Sequence, residues 1–189
     1  MSKTKTYSSG MIILLSPSKT LDYESDIPSI EPTQPQLMKH TKELASIMRD
    51  YSAEDISKLM KVSDKIGELN YQRYQDFKTP FTEKNARPCI FAFKGDVYDG
   101  LEIEQFTKSQ LNKAQKHVRI LSGLYGLLRP FDLMQPYRLE MGTKLENSRG
   151  KNLYEFWGDH ITDLLNEELK QSGSDTIINL ASNEYFKAV

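Results

Sequence analysis

The sequence predicts a mixed α/β chain, with a central sheet and flanking helices. Three observations lead there. Four short apolar runs, Met11–Leu15, Cys89–Phe93, Val118–Leu121 and Thr176–Leu180, have the length and β-branching of strands. Stretches with apolar residues at helical spacing lie between them. Each run is followed at once by polar residues or glycine: SPSKT, KGDVYDG, SGLYG and ASNEY. The length, 189 residues with 38% hydrophobic and 27% charged, suits one domain with one good core.

The elements follow in order. Residues 1–10 are polar, lack the apolar centre of a signal peptide, and read as a disordered leader. After Met11–Leu15, the Tyr23–Pro35 segment carries Pro28, Pro32 and Pro35 and reads as a loop. Leu37, Leu44, Ile47 and Met48 predict a helix from about Gln36 to Asp50. Ser52-Ala53-Glu54-Asp55 fits a capping box, with Asp where Glu is usual, and opens a second helix whose apolar face is Ile56, Leu59 and Met60. Lys61-Val62 breaks it, and Ser63-Asp64 starts a third helix bearing Ile66, Leu69 and Arg73. The two form a helical hairpin. Cys89–Phe93 is the second strand, Thr107–His117 a helix, and Val118–Leu121 the third strand. Asn152–Lys170 reads as one long helix, and Thr176–Leu180 as the fourth strand.

Arg119–Leu145 organises the chain. Its strand breaks at Ser122-Gly123; Gly123 and Gly126 bracket Tyr125; Pro130 and Pro136 forbid a helix interior. The result is a fixed irregular path carrying Tyr125, Arg129, Asp132, Tyr137, Arg138 and Glu140. It is either a functional segment or a surface connection with aromatics packed beneath it.

Composition narrows the function classes. The net charge is -1, from 25 Lys plus Arg against 26 Asp plus Glu, which does not advertise nucleic acid but leaves room for a local basic face. The single cysteine, Cys89, excludes an internal disulfide, points to a reducing compartment, and reads as a buried inert thiol. No apolar run reaches the length of a membrane span. His40, His117 and His160 have no metal-ligand spacing, so neither metal nor cofactor is expected.

Two sets of candidate residues remain. In parallel sheets, ligand sites form at the carboxyl ends of the strands. If the strands are parallel, the loops after them gather Ser16, Lys19, Lys94, Asp96, Tyr125, Arg129, Arg138, Ser182 and Asn183 as an anion-binding cleft. Asp96, Tyr98, Arg129 and Arg138 would be its acid, base or anion clamps, although SPSKT lacks the glycines of a phosphate loop. The helical hairpin is the second set: Lys58, Lys61, Lys65 and Arg73 lie on it, and a helix start can offer amides to phosphate. An ordinary packed helix pair is the competing reading.

SPSKTLDY (16–23), FKGDVYDGL (93–101), LSGLYGLLRPFDLMQPYRLEMGTKLEN (121–147), KNLYEFWGDHIT (151–162) and INLASNEYFKAV (178–189) closely resemble the bacterial peroxide-stress protein YaaA family. The resemblance begins at Met11. Family members continue beyond the equivalent of Val189, so the expectation is a single domain over residues 11–189, incomplete at its carboxyl end. The resemblance implies a family-specific fold with a helix-hairpin-helix-like element and a basic cleft. It also implies a cytoplasmic protein of the hydrogen peroxide response that binds double-stranded DNA and limits free iron and oxidative damage. The hairpin would be the DNA-contacting element and the protein a monomer. An enzyme acting on a nucleotide-like or other anionic substrate at the strand ends is the alternative, and an iron-homeostasis interaction protein a third class.

Overall fold

The computed structural model describes residues 10–189 and has mixed α/β architecture. The expected leader falls on residues 1–9, outside the described residues, and on Gly10. The chain begins with β1 (Met11–Leu15) and a two-residue strand, β2 (Thr20–Leu21). Helix α1 (Met38–Arg49) buries Thr41, Leu44, Ala45 and Met48, one face of a helix. Helix α2 (Ala53–Met60) opens with the expected capping box. The Asp55 amide donates to Ser52 Oγ at 3.1 Å, and the Ser52 amide donates back to the Asp55 carboxylate at 3.3 Å. It ends at Lys61, which holds a left-handed backbone at φ 52, where glycine is the usual occupant. Helix α3 (Asp64–Asp76) completes the hairpin.

The next segment departs from expectation. Of the expected strand Cys89–Phe93, only Phe93 is in a strand. Between β3 (Arg87–Pro88) and β4 (Phe93–Lys94), the run coils into a single helical turn, α4 (Cys89–Ala92). A short fully buried run has no polar side to set its period, so strand and helix look alike in sequence. Tertiary hydrogen bonds decide: the Cys89 amide donates to Asp132 O and the Ile90 amide to Pro130 O.

The polar stretch after β4 is also helical, as α5 (Asp96–Leu101). A second capping box, Thr107 with Gln110, opens α6 (Lys108–His117). Then come β5 (Val118–Ser122), β6 (Gly126–Leu128) and β7 (Leu133–Met134). The long helix expected over 152–170 is two: α7 (Leu153–Trp157) and α8 (His160–Ser172). Gly158, at φ 46, takes a backbone that a side chain would resist and turns the chain between them. The Trp157 indole N–H then donates to Gly123 O at 3.0 Å. Strand β8 (Thr176–Asn179) and a helical turn, α9 (Asn183–Phe186), follow.

The main sheet runs β6-β5-β1-β8. β1 is parallel to both β5 and β8, while β6 folds back antiparallel on β5. β2 and β4 pair in a separate antiparallel ribbon, and β3 pairs with β7. So three strands share an orientation and β4 is not among them. The core lies around Ile12, Leu14, Ile120, Leu121, Phe156 and Trp157, all nearly inaccessible. Tyr185 joins this core, whereas Phe186 is 38% exposed. Among the described residues no helix is long and apolar enough to cross a membrane.

Candidate functional site

The α2–α3 hairpin is a closely packed unit. A β-carbon at Gly67 would lie 1.9 Å from Ser57 Oγ and 2.7 Å from Ala53 O, so the helices cross where only hydrogen fits. Gly67 lies one turn into α3. Lys61 and Lys65 flank the start of α3, are exposed, and enter none of the ion pairs among the described residues. Ser63 caps α3 without a side-chain hydrogen bond, and Asp64 stands in the first turn as a local negative charge. Lys58 is exposed too, but its ammonium pairs with Glu54 at 2.6 Å. Arg73 is set apart. It lies two turns along α3, about 12 Å from Lys65 by helical rise, and is half-buried. There it lines a groove of about 570 Å³ with Phe77, Lys78, Lys84 and Gln135. Its guanidinium donates to Asn70 Oδ1 at 3.3 Å, and desolvation pulls its pKa down.

The carboxyl ends of the parallel strands bring some of the second set together. The Ser182 amide donates to Ser16 Oγ at 2.9 Å, joining the loops after β8 and β1. The Lys19 ammonium lies 3.0 Å from Glu140 Oε1, and Arg138 reaches the same oxygen at 3.2 Å. Arg138 Nε is buried and has no hydrogen-bond partner among the described residues. Ser18, Lys19, Tyr137, Arg138, Glu140 and Glu184 line a cavity of about 60 Å³ here. The Glu184 carboxylate accepts the Gly142 amide at 2.8 Å, and Asn183 is the exposed first residue of α9.

Other members of that set go elsewhere. Lys94 sits on the β2–β4 ribbon and turns to Glu104 at 2.6 Å and Asp22 at 3.9 Å. Asp96 is exposed at the start of α5. Tyr125 is fully buried, its hydroxyl donating to Gln135 O at 3.1 Å. Arg129 lies at the opposite end of the sheet. Leu128 pairs with Ile120 and Gly126 with Ser122, so the chain leaves β6 toward the amino ends of the parallel strands. There Arg129 holds Asp132 at 2.8 Å and Gln34 O at 2.9 Å. Tyr98 does not suit acid–base work: its hydroxyl donates to Ser16 O at 2.7 Å, and burial pushes its pKa well up. Burial likewise raises the Cys89 thiol, away from reactivity.

Sequence reasoning did not single out Glu140 as the shared partner of Lys19 and Arg138. Arg138 and Glu140 stand two residues apart in the long motif, but Lys19 comes from the loop after β1, and no local pattern joins it to them. Sequence reasoning also missed His40, His160, Arg149 and Glu43, which gather from distant parts of the chain with no local motif.

The chain matches the family described as peroxide stress protein YaaA over residues 11–189. It belongs to that family. Among curated relatives, a UPF0246 protein of Alcanivorax borkumensis is 59% identical over 179 residues, 95% of this chain and 69% of the relative. A UPF0246 protein of Aliivibrio fischeri is 58% identical over the same shares, and one of Idiomarina loihiensis 55%.

In this YaaA-family chain the long motif from Leu121 to Asn147 is mostly buried scaffold. Tyr125 packs edge-on against Tyr137 at 5.2 Å, and the Gln135 amide donates to the Tyr125 hydroxyl at 2.9 Å. The glycines beside Tyr125 have steric reasons. A β-carbon on Gly123 would lie 2.1 Å from Leu139 O, and one on Gly126 2.8 Å from the Trp157 ring. Only Arg138 and Glu140 carry this motif's charge to the strand-end cluster.

Proposed function

We propose that this peroxide-stress family member binds double-stranded DNA through the α2–α3 hairpin, as a cytoplasmic monomer that limits intracellular iron and oxidative damage. The observation that carries the reading is the pair of exposed lysines without carboxylate partners among the described residues, Lys61 and Lys65, at the start of a helix fixed by close packing at Gly67. Such a helix start offers amides and partial positive charge to phosphate, and the lysines add point charges beside it. The turn offers no Asn or Gln pair for reading base edges, so contacts are to the backbone and independent of sequence. Lys58, paired with Glu54, and Arg73, in its neighbouring groove, are secondary contacts in this proposal.

The test is fluorescence anisotropy with two unrelated duplexes across a salt series. Replacing Lys61 and Lys65 together by Ala is expected to weaken binding to both duplexes alike and to flatten the log–log salt slope by about two units. Surface lysines contribute little to folding, so circular dichroism should be unchanged. A folded double variant with unchanged affinity and slope would remove the hairpin from the proposal. The reading that then stands is an anionic ligand or substrate at the strand ends. Arg138, whose buried Nε has no partner among the described residues, lines that cavity and favours it.

A further inference from the structure

His40, near the start of α1, is built into a contact that only its neutral form can make. Arg149 Nη2 lies 2.9 Å from His40 Nδ1. A guanidinium has no acceptor, so it donates, and Nδ1 must be the unprotonated nitrogen. The His160 ring stacks on His40 with centroids 4.2 Å apart and planes 26° from parallel. Phe156 and Trp157 meet the ring edge-on from α7. Arg149 is itself fixed: it donates to Phe156 O at 3.0 Å, pairs with Glu43, and lies over the Phe156 ring at 4.1 Å. Ser148 Oγ donates to Glu43 at 2.8 Å.

We propose that His40 is a proton-responsive latch: neutral, it fastens the first half of α1 to the 147–150 turn and the start of α8; protonated, it lets go. A second ring proton would point at the Arg149 N–H and place a cation between Arg149 and His160. The charged and titratable groups facing His40 are His160 from α8, Arg149 from the turn, and Glu43 and Lys39 from α1. Burial, then His160 and Arg149, and last Lys39, lower the imidazole pKa, while Glu43 opposes them. The sign follows from the lowered value. The latch contributes fully above the unfolded value of about 6.5, and its contribution is lost as pH falls through the folded value.

The latch has reach because α1 also holds the hairpin. At its other end Arg49 donates to Tyr74 O at 3.2 Å and Phe77 O at 2.6 Å, and Gln75 donates to Arg49 O at 2.9 Å. Releasing the first half of α1 therefore loosens the element on which α3 is seated. This inference is independent of whether the hairpin binds DNA.

The test uses histidine NMR on the intact protein from pH 8 to 5, together with amide exchange over residues 42–47 in the wild type and in His40→Asn. The side-chain oxygen of the introduced asparagine can accept from Arg149 where Nδ1 did, but its amide does not titrate. The expected results are a His40 ring protonated on Nε2 at pH 8, with a titration midpoint below about 6.5. At pH 5.5 the wild-type amides should exchange several-fold faster than those of the variant, and at pH 7.5 equally fast. A midpoint at or above 6.5, or equal exchange in both proteins at pH 5.5, would overturn the latch. If the variant does not fold, the wild-type titration decides alone.

Discussion

At Gly67 a β-carbon would lie 2.7 Å from the backbone oxygen of Ala53, which cannot rotate away, as well as 1.9 Å from Ser57 Oγ. Gly67→Ala should force α2 and α3 apart and cost about 1–3 kcal/mol, the range of overpacked sites. Gly100 is the control. It lies inside α5 with nothing within 4 Å of its would-be β-carbon. Gly100→Ala should be neutral or add up to about 1 kcal/mol, because alanine loses less backbone entropy in a helix. Urea unfolding of both variants checks this; equal midpoints would show that the crossing tolerates a methyl group. The contrast also shows what sequence hides. Both glycines sit in helices, and only the neighbour from another helix distinguishes them.

Among elements, β5 and α8 are joined by a buried ion pair. Arg119 and Glu168 are each less than a tenth exposed, and Nε of Arg119 donates to the Glu168 carboxylate. Arg119 Nη1 also donates to Gln115 O at 3.0 Å and Val118 O at 2.6 Å. Burying two charges is costly in itself, so the pair is not a large net stabiliser; removing one partner is what hurts. Glu168→Ala should leave Arg119 buried without its counter-ion and cost about 3–5 kcal/mol. A loss below about 1 kcal/mol in chemical unfolding would mean that water reaches Arg119 once the carboxylate is gone. The hydrophobic face of α8 was legible in the sequence. The Arg119–Glu168 pair was not, since the partners are 49 positions apart and no local pattern links them.

For the molecule as a whole, acid should weaken the fold by identifiable steps. The Asp22 carboxyl is held well below the usual range by the Ser25 side chain and by the backbone amides of Ser25 and Glu24. Its bonds from those amides are 3.0 Å and 2.9 Å long. Glu104 is lowered chiefly by its hydrogen bond from Lys94. A carboxyl lowered by folding contributes stability above its unfolded value of about 4 and loses it as pH falls through the folded value. Asp22→Asn keeps an acceptor for both amides but cannot titrate. Thermal unfolding between pH 5 and 2 should therefore show a shallower acid limb in this variant. An identical limb would exclude Asp22 as a source of acid sensitivity.

Helices that carry their own signals could be read before any fold was known. The capping boxes at Ser52 and Thr107 and the apolar faces of α1 and α2 depend on residues within a few positions of one another. The sequence also placed β1, β5 and β8, and ordered motifs spread over the chain identified the family. Features that depend on distant partners emerge only on folding. Cys89–Ala92 coils because Asp132 O and Pro130 O accept its first amides. Arg129 leaves the strand ends because β6 reverses on β5. Lys19 and Arg138 share Glu140, and His40 meets His160 and Arg149, through contacts that only the folded chain brings within reach. The physical division is one of range: caps, turns and periodicity act over a few residues, whereas burial, charge pairing and strand direction belong to whichever segments the fold brings together.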